Sequence, residues 1–153
     1  MIERDRFREA LSAWASGVTV VACRTERRVV ATTVSAFISL SLDPPMILIA
    51  VGPNATVRPF LQPGEPFGVS ILGAGQRRLA MVFADPFPVG PDPFPPEGDP
   101  LIDGCLLGLS CVVERVDDGG DHAIVIGAVK DATGGASGAP LIRYDRRYHA
   151  LGD

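Results

Sequence analysis

Apolar positions recur at two different periods along this chain. Phe7, Ala10, Leu11, Trp14 and Ala15 stand at i, i+3, i+4, i+7 and i+8, the spacing of one helix face. The opening segment is therefore expected to be a helix that stops at Gly17, with Phe7 and Trp14 in the core. From Gly17 the texture changes to β-branched runs. Residues 18–23 and 29–34 read as a strand pair turned by Arg24-Thr25-Glu26-Arg27-Arg28. Residues 35–42 read as a hydroxyl-rich link closed by Asp43-Pro44-Pro45, since successive prolines cannot donate to a central ladder. Residues 46–51 are continuously apolar, as in a strand buried on both faces, and Gly52-Pro53-Asn54 breaks the run. One or two helical turns are expected over 55–62. Phe67, Val69 and Ile71 alternate with Gly68 and Ser70, the pattern of another strand. A short helix over 76–84 buries Leu79, Val82 and Phe83 and ends at Asp85-Pro86.

Residues 85–100 hold seven of the chain's fourteen prolines, a density that no helix or central strand survives. Strand texture returns at 106–116 and 123–129, flanking the hairpin signal Asp117-Asp118-Gly119-Gly120-Asp121. A flexible loop is expected at 134–138, and the last extended pieces at 141–144 and 148–151. The proline-rich stretch reads as a surface excursion rather than a linker, because neither side of it has a core of its own. Residues 1–153 are thus expected to form a single domain. Six or seven strands with few helices, and no regular crossover helices, exclude a doubly wound parallel sheet. They predict a mainly β fold, a closed or nearly closed antiparallel barrel with short peripheral helices.

Composition narrows the function classes. Apolar residues make up 46% and charged residues 21%, which excludes a disordered tail. No apolar run approaches the ~20 residues of a membrane span. The charged start Met1-Ile2-Glu3-Arg4-Asp5-Arg6 lacks an apolar signal core, so a cytoplasmic protein is expected. A net charge of −4 argues against nucleic acid as a partner. Cys23, Cys105 and Cys111 are odd in number and contain no C-x-x-C pair, which fits reduced thiols. His122 and His149 share no ligand spacing with them, so no metal site is expected. Gly108-Leu109-Ser110-Cys111-Val112 lacks the second glycine of a nucleophile elbow, and neither phosphate-loop nor dinucleotide glycine motif occurs.

One stretch concentrates candidate chemistry: Thr32-Thr33-Val34-Ser35-Ala36-Phe37-Ile38-Ser39-Leu40-Ser41-Leu42-Asp43-Pro44-Pro45. Its hydroxyls either satisfy their own backbone or, with free N–H groups, cradle a polar or anionic ligand. Arg58, Arg77 and Arg78 are the basic residues nearest to it that would compensate a phosphate. His122, at a hairpin exit, is either a turn residue or a ligand-facing imidazole. Tyr148 is assigned to the core.

The chain resembles the short-chain NAD(P)H:flavin reductases, the small components of two-component flavin monooxygenases. The likeness runs from Ala15-Ser16-Gly17-Val18-Thr19-Val20-Val21 through residues 33–45 and Phe67-Gly68-Val69-Ser70-Ile71-Leu72. It continues through Gln76, Leu79, Phe83-Ala84, Pro100-Leu101-Ile102-Asp103-Gly104, Gly120-Asp121-His122, Ile126-Gly127 and Tyr148-His149. The resemblance implies a six-stranded FMN-binding split barrel and a homodimer with flavin near the subunit interface. It implies hydride transfer from NADH or NADPH to FMN or FAD, with reduced flavin passed to a monooxygenase. Carried over by position, Thr33, Val34, Ser35 and Ala36 would line the isoalloxazine edge. Ser39, Leu40 and Ser41 would lie along the ribityl and phosphate side, and Asn54, Ala55 and Thr56 would form a second phosphate loop. His122 would stand beside the nicotinamide. The family often carries hydroxyls where this chain has Ala55 and Val57, so its phosphate grip would fall to Asn54, Thr56, main-chain N–H groups and an arginine. The alternative on the same barrel is a flavin-binding electron-transfer or sensing protein without free-flavin reduction.

Overall fold

The computed structural model describes residues 1–134 and 137–152. Its elements are α1 (Arg4–Leu11), β1 (Ser16–Gly17), β2 (Thr19–Arg24), β3 (Val29–Val34), β4 (Phe37–Leu42), β5 (Pro45–Val51), β6 (Pro66–Ile71), α2 (Arg77–Phe83), β7 (Leu107–Gly119), β8 (His122–Gly134), β9 (Leu141–Tyr144) and β10 (Arg147–Ala150). Short 3-10 turns at Arg58–Phe60 and Ala74–Gln76 complete the set.

Seven strands form one antiparallel sheet in the order β3-β2-β6-β7-β8-β5-β4, and β1, β9 and β10 form a small second one. The mainly β class holds, with one strand more in the main sheet than the six expected. The sheet curls until its two ends share a core. Val34 of β3, Ile49 and Val51 of β5, Phe67 of β6, Val113 of β7 and Val125 of β8 lie in one buried cluster. Among the described residues no ladder joins β3 to β4 or β5, so the barrel stays open along that seam.

Strand β2 is buried on both faces. Val21 and Cys23 enter the barrel core, while Val20 and Ala22 pack in a second cluster with Leu72, Ala80 and Phe83. The expectation of two buried faces for residues 46–51 does not hold. Ile47, Ile49 and Val51 are buried, but Met46, Leu48 and Ala50 on the outer face are only half-buried, because the described residues leave that face partly open.

Four other expectations are corrected. Residues 35–42 are not a link: only Ser35 and Ala36 connect β3 to β4, an edge strand paired with β5. Its apolar residues Ile38, Leu40 and Leu42 are exposed and only Phe37 packs on the core, too little inward signal for the sequence pattern to reveal. Helix α1 ends at Leu11, capped by Ser12, and Gly17 lies in β1 opposite Ile142. Phe7 and Trp14 are not core: they are 52% and 75% exposed, Phe7 on a helix with no buried residue and Trp14 beyond the end of that helix. In α2 the buried residues are Ala80 and Phe83, with Leu79 and Val82 half-buried.

The hairpin forms as expected but tighter. Gly119 pairs with His122, leaving a two-residue turn at Gly120-Asp121 in which Gly120 has φ +71°. The loop expected at 134–138 falls partly outside the described residues.

The proline-rich excursion is strapped to the barrel. Arg24 donates from Nε to the Gly98 carbonyl at 2.9 Å, from Nη1 to Pro96 at 3.2 Å and from Nη2 to Pro95 at 2.7 Å. Ser110 Oγ then bonds Asp99 Oδ2 at 2.6 Å, and the Ile102 N–H donates to Ser70 Oγ at 2.9 Å. The strap crosses β6 and β7 over two glycines. A Cβ at Gly68 would meet the Pro100 carbonyl oxygen at 2.6 Å, and one at Gly108 would meet Leu101 Cδ1 at 2.8 Å. Side chains at either position would lift the strap off the sheet.

Candidate functional site

The seam of the barrel opens into a cleft of about 370 Å³, within the range of small-molecule sites. Strand β3 supplies Thr32 and Thr33, and the loop after β5 supplies Asn54, Ala55 and Thr56. The end of α2 and the chain leaving it, Phe83 to Pro86, form the facing wall. Four residues singled out in the sequence thus meet here: Thr33, Asn54, Ala55 and Thr56. A larger cavity of about 820 Å³ lies under the strap, with two carboxylates, Asp92 and Asp103, in its lining against the one, Asp85, in the cleft.

The cleft hydroxyls are already partly committed. Thr33 Oγ1 donates to the Ala80 carbonyl at 2.6 Å, tying β3 to α2. Thr56 Oγ1 donates to the Ala31 carbonyl at 3.1 Å and lies 3.2 Å from Thr32 Oγ1. With the Thr56 proton on Ala31, Thr32 donates to Thr56. Each threonine oxygen therefore meets a ligand as an acceptor, suited to an N–H edge rather than to a phosphate. Donors for an anion come instead from Asn54, which is exposed at the cleft, and from main-chain N–H groups.

His122, the first residue of β8, stands at the same loop. A Cβ at Gly52 would be 3.6 Å from His122 Nε2, so the glycine leaves room for the imidazole. His122 Nδ1 lies 2.6 Å from Asp121 Oδ1. That hydrogen bond holds the exposed Asp121 carboxyl below the ordinary carboxylate range. An ionised carboxylate only accepts, so Nδ1 carries a proton, and in the tautomer with that single proton Nε2 is left as an acceptor. Arg58 secures the arrangement from the other side, donating from Nη1 to the Asp121 carbonyl at 2.9 Å. Its role here is to tie the loop to the hairpin. Asp121 has no separate role in the sequence reading; its place beside a histidine in a hairpin turn is the only signal for it.

The remaining candidates sit elsewhere. Val34 points into the barrel core. Ser35 and Ala36 are exposed in the short connection between β3 and β4. Ser39, Leu40 and Ser41 run along edge strand β4, with a bulge between Ser39 and Ser41, and do not line the cleft. Arg77 and Arg78 are exposed on α2 beside it. Tyr148 packs against the second core cluster, with the Arg143 guanidinium 4.6 Å from its ring centroid. All three cysteines are free and buried. Burial pushes the Cys23 and Cys111 thiols up to about 12 and raises that of Cys105, so none is a ready nucleophile. Among the described residues no cluster of histidine, cysteine and carboxylate side chains would hold a metal ion.

Comparison with known proteins places this geometry. The chain is 38% identical over 152 residues to the reductase component of 4-hydroxyphenylacetate 3-monooxygenase from Thermus thermophilus, covering 97% of both chains. It is 38% identical over 141 residues to an NADH-dependent FAD reductase of Streptomyces globisporus, covering 86% of this chain and 76% of that one. The solved styrene monooxygenase flavin reductase from Pseudomonas putida superposes with a TM-score of 0.86 at 30% identity, over 95% of this chain and 97% of that one. The family model described as a flavin reductase like domain matches residues 11–152. With its seamed antiparallel barrel, its hydroxyl-lined cleft and these relatives along nearly its whole length, the chain belongs to the flavin reductase-like domain family.

Proposed function

We propose that this chain, acting as one domain, is an NAD(P)H:flavin oxidoreductase that reduces FMN or FAD and hands the reduced flavin to a partner monooxygenase. The observation that carries this reading is the convergence of Thr33, Asn54, Ala55 and Thr56 on one cleft with His122 at its loop. The donor set fits a flavin: threonine oxygens that accept, an asparagine that donates, and an apolar wall at Phe83 and Pro86. A bound flavin supplies the hydride-accepting chemistry. The chain supplies position. Thr33, fixed by Ala80, presents its oxygen to the ring edge together with the main chain of residues 34–36. Phe83 and Pro86 exclude water from one side of the cleft. His122 Nε2, oriented by Asp121, accepts a hydrogen bond from the carboxamide of an incoming nicotinamide. No strong acid or base is needed, since orientation alone is worth roughly 7–11 kcal/mol in well-aligned cases.

Ser39, Leu40 and Ser41 belong to this site through a second copy of the chain. The exposed edge of β4, with Ile38, Leu40 and Leu42, is the kind of surface that a homodimer covers. Three free, buried thiols support a cytoplasmic setting.

The test is oxidation of NADH and NADPH by the purified protein with FMN, FAD and no added flavin, followed by nicotinamide absorbance. Flavin-dependent oxidation is expected. Its absence with every pair refutes the proposal, and a monomer by light scattering refutes the dimer.

A further inference from the structure

Beside the cleft, and sharing Asp85 with it, lies a second depression of about 560 Å³. Arg77 and Arg78 stand on its edge, and Met81, Val82, Phe87 and Val89 line it. Three of these apolar side chains are left in solvent: Met81 is 55% exposed, Phe87 83% and Val89 88%. They do not serve the core of this chain. The display is stiff as well. Phe87 lies between Pro86 and Pro88, and its N–H donates to Asp85 Oδ1 at 2.8 Å. A ring held this way loses little freedom when a planar group stacks on it. The charge is local too: the chain carries −4 overall, yet two guanidiniums are adjacent here. The one carboxylate on the depression, Asp85, is already engaged by the Phe87 N–H.

We propose that this depression receives the adenosine 5′-phosphate half of a dinucleotide whose other half occupies the cleft. Arg77 and Arg78 face the adenosine 5′-phosphate, and Phe87 with Met81 packs on the adenine. The inference rests on the flavin reading of the cleft and deepens it: where FAD brings that half, the chain prefers FAD to FMN. NADH carries the same adenosine half, so the test separates the two sources.

Flavin fluorescence titrations would compare the wild type with Phe87→Ser/Met81→Ser and with Arg77→Gln/Arg78→Gln, using FAD and FMN. KM would be measured for NADH and for reduced nicotinamide mononucleotide, with FMN as acceptor. All the substituted side chains are exposed, and a thermal melt checks that each variant folds. The expected result is an affinity of the wild type for FAD about tenfold above that for FMN, typical of one stacked base. The variants lose that advantage and keep the FMN affinity. If the half bound here is that of NADH, the flavins bind alike, and the variants raise KM about tenfold for NADH only. Unchanged FAD affinity and unchanged KM for NADH in both variants overturn the proposal, as does an equal loss for FMN and FAD. Failure of the wild type to bind either flavin overturns the cleft reading itself, and this one with it.

Discussion

Gly127 is where the barrel leaves no room. It lies on β8 between Ile47 of β5 and Val113 of β7, and the ring of Phe67 reaches across from β6 to fill the space a side chain would take. A Cβ there would stand 2.5 Å from Phe67 Cζ, 3.0 Å from Cε1 and 3.6 Å from Cys111 Cβ. Carbon atoms settle at about 3.5–4.0 Å, so the ring must retreat by roughly 1 Å. Phe67 is only 2% exposed and packed on all sides, so it has nowhere to go. Gly127→Ala is therefore predicted to cost about 1–3 kcal/mol by overpacking. For a domain of this size that is a Tm lower by about 2–12 °C. Phe67→Leu alone also destabilises, but it removes the ring atoms that clash. The Gly127→Ala/Phe67→Leu double variant is then predicted to be more stable than the sum of the single losses requires, with coupling of about 1 kcal/mol. Urea denaturation of the four proteins measures this. A single Gly127→Ala variant as stable as the wild type, or additive losses in the double, would refute the reasoning.

Further predictions follow from the same contacts. Arg24→Met removes three donors from an exposed guanidinium, so residues 85–100 should be cleaved faster by protease while global stability falls by only about 1 kcal/mol; equal cleavage rates would contradict the strap. Thr33→Val should cost about 1 kcal/mol through the lost bond to Ala80 and should also weaken flavin binding, whereas Thr33→Ser should restore both. The Asp121 carboxyl is depressed by its bond from His122, so this pair stabilises the fold above the ordinary carboxylate range and the benefit fades as pH falls through the lowered value. In His122→Ala, an NMR titration should find the Asp121 value moved up toward 3.8; no movement would show the pair to be uncoupled. The native thiols should resist a disulfide reagent at mildly alkaline pH and react only on unfolding, because Cys23 and Cys111 are held near 12 by burial.

Much of the barrel was legible because its inward residues alternate or run continuously. Phe67-Gly68-Val69 and the hairpin signal before His122 landed where the pattern put them. Strand β4 was hidden because only Phe37 of its apolar residues packs on this chain's core while Ile38, Leu40 and Leu42 are exposed, so Ser39 and Ser41 made it read as a loop. Periodicity in α1 correctly reported an amphipathic helix, but periodicity cannot say whether the apolar face has a partner. The same limit governs the site. The threonines were visible as a cluster, but their protons go to Ala80 and Ala31, which are remote in sequence. The wall formed by Phe83 to Pro86 arises from the docking of α2 on β3, a tertiary event with no local signature.

The strap also tells a protein engineer where to cut. Its two ends are anchored by different means, the early part beside α2 and the later part by Arg24, Ser110 and the glycine notch. The exposed midpoint near Gly90 and Pro91 carries neither job. A fluorophore, an affinity tag or a tether to an oxygenase spliced there would ride on the barrel without disturbing the seam of the candidate site.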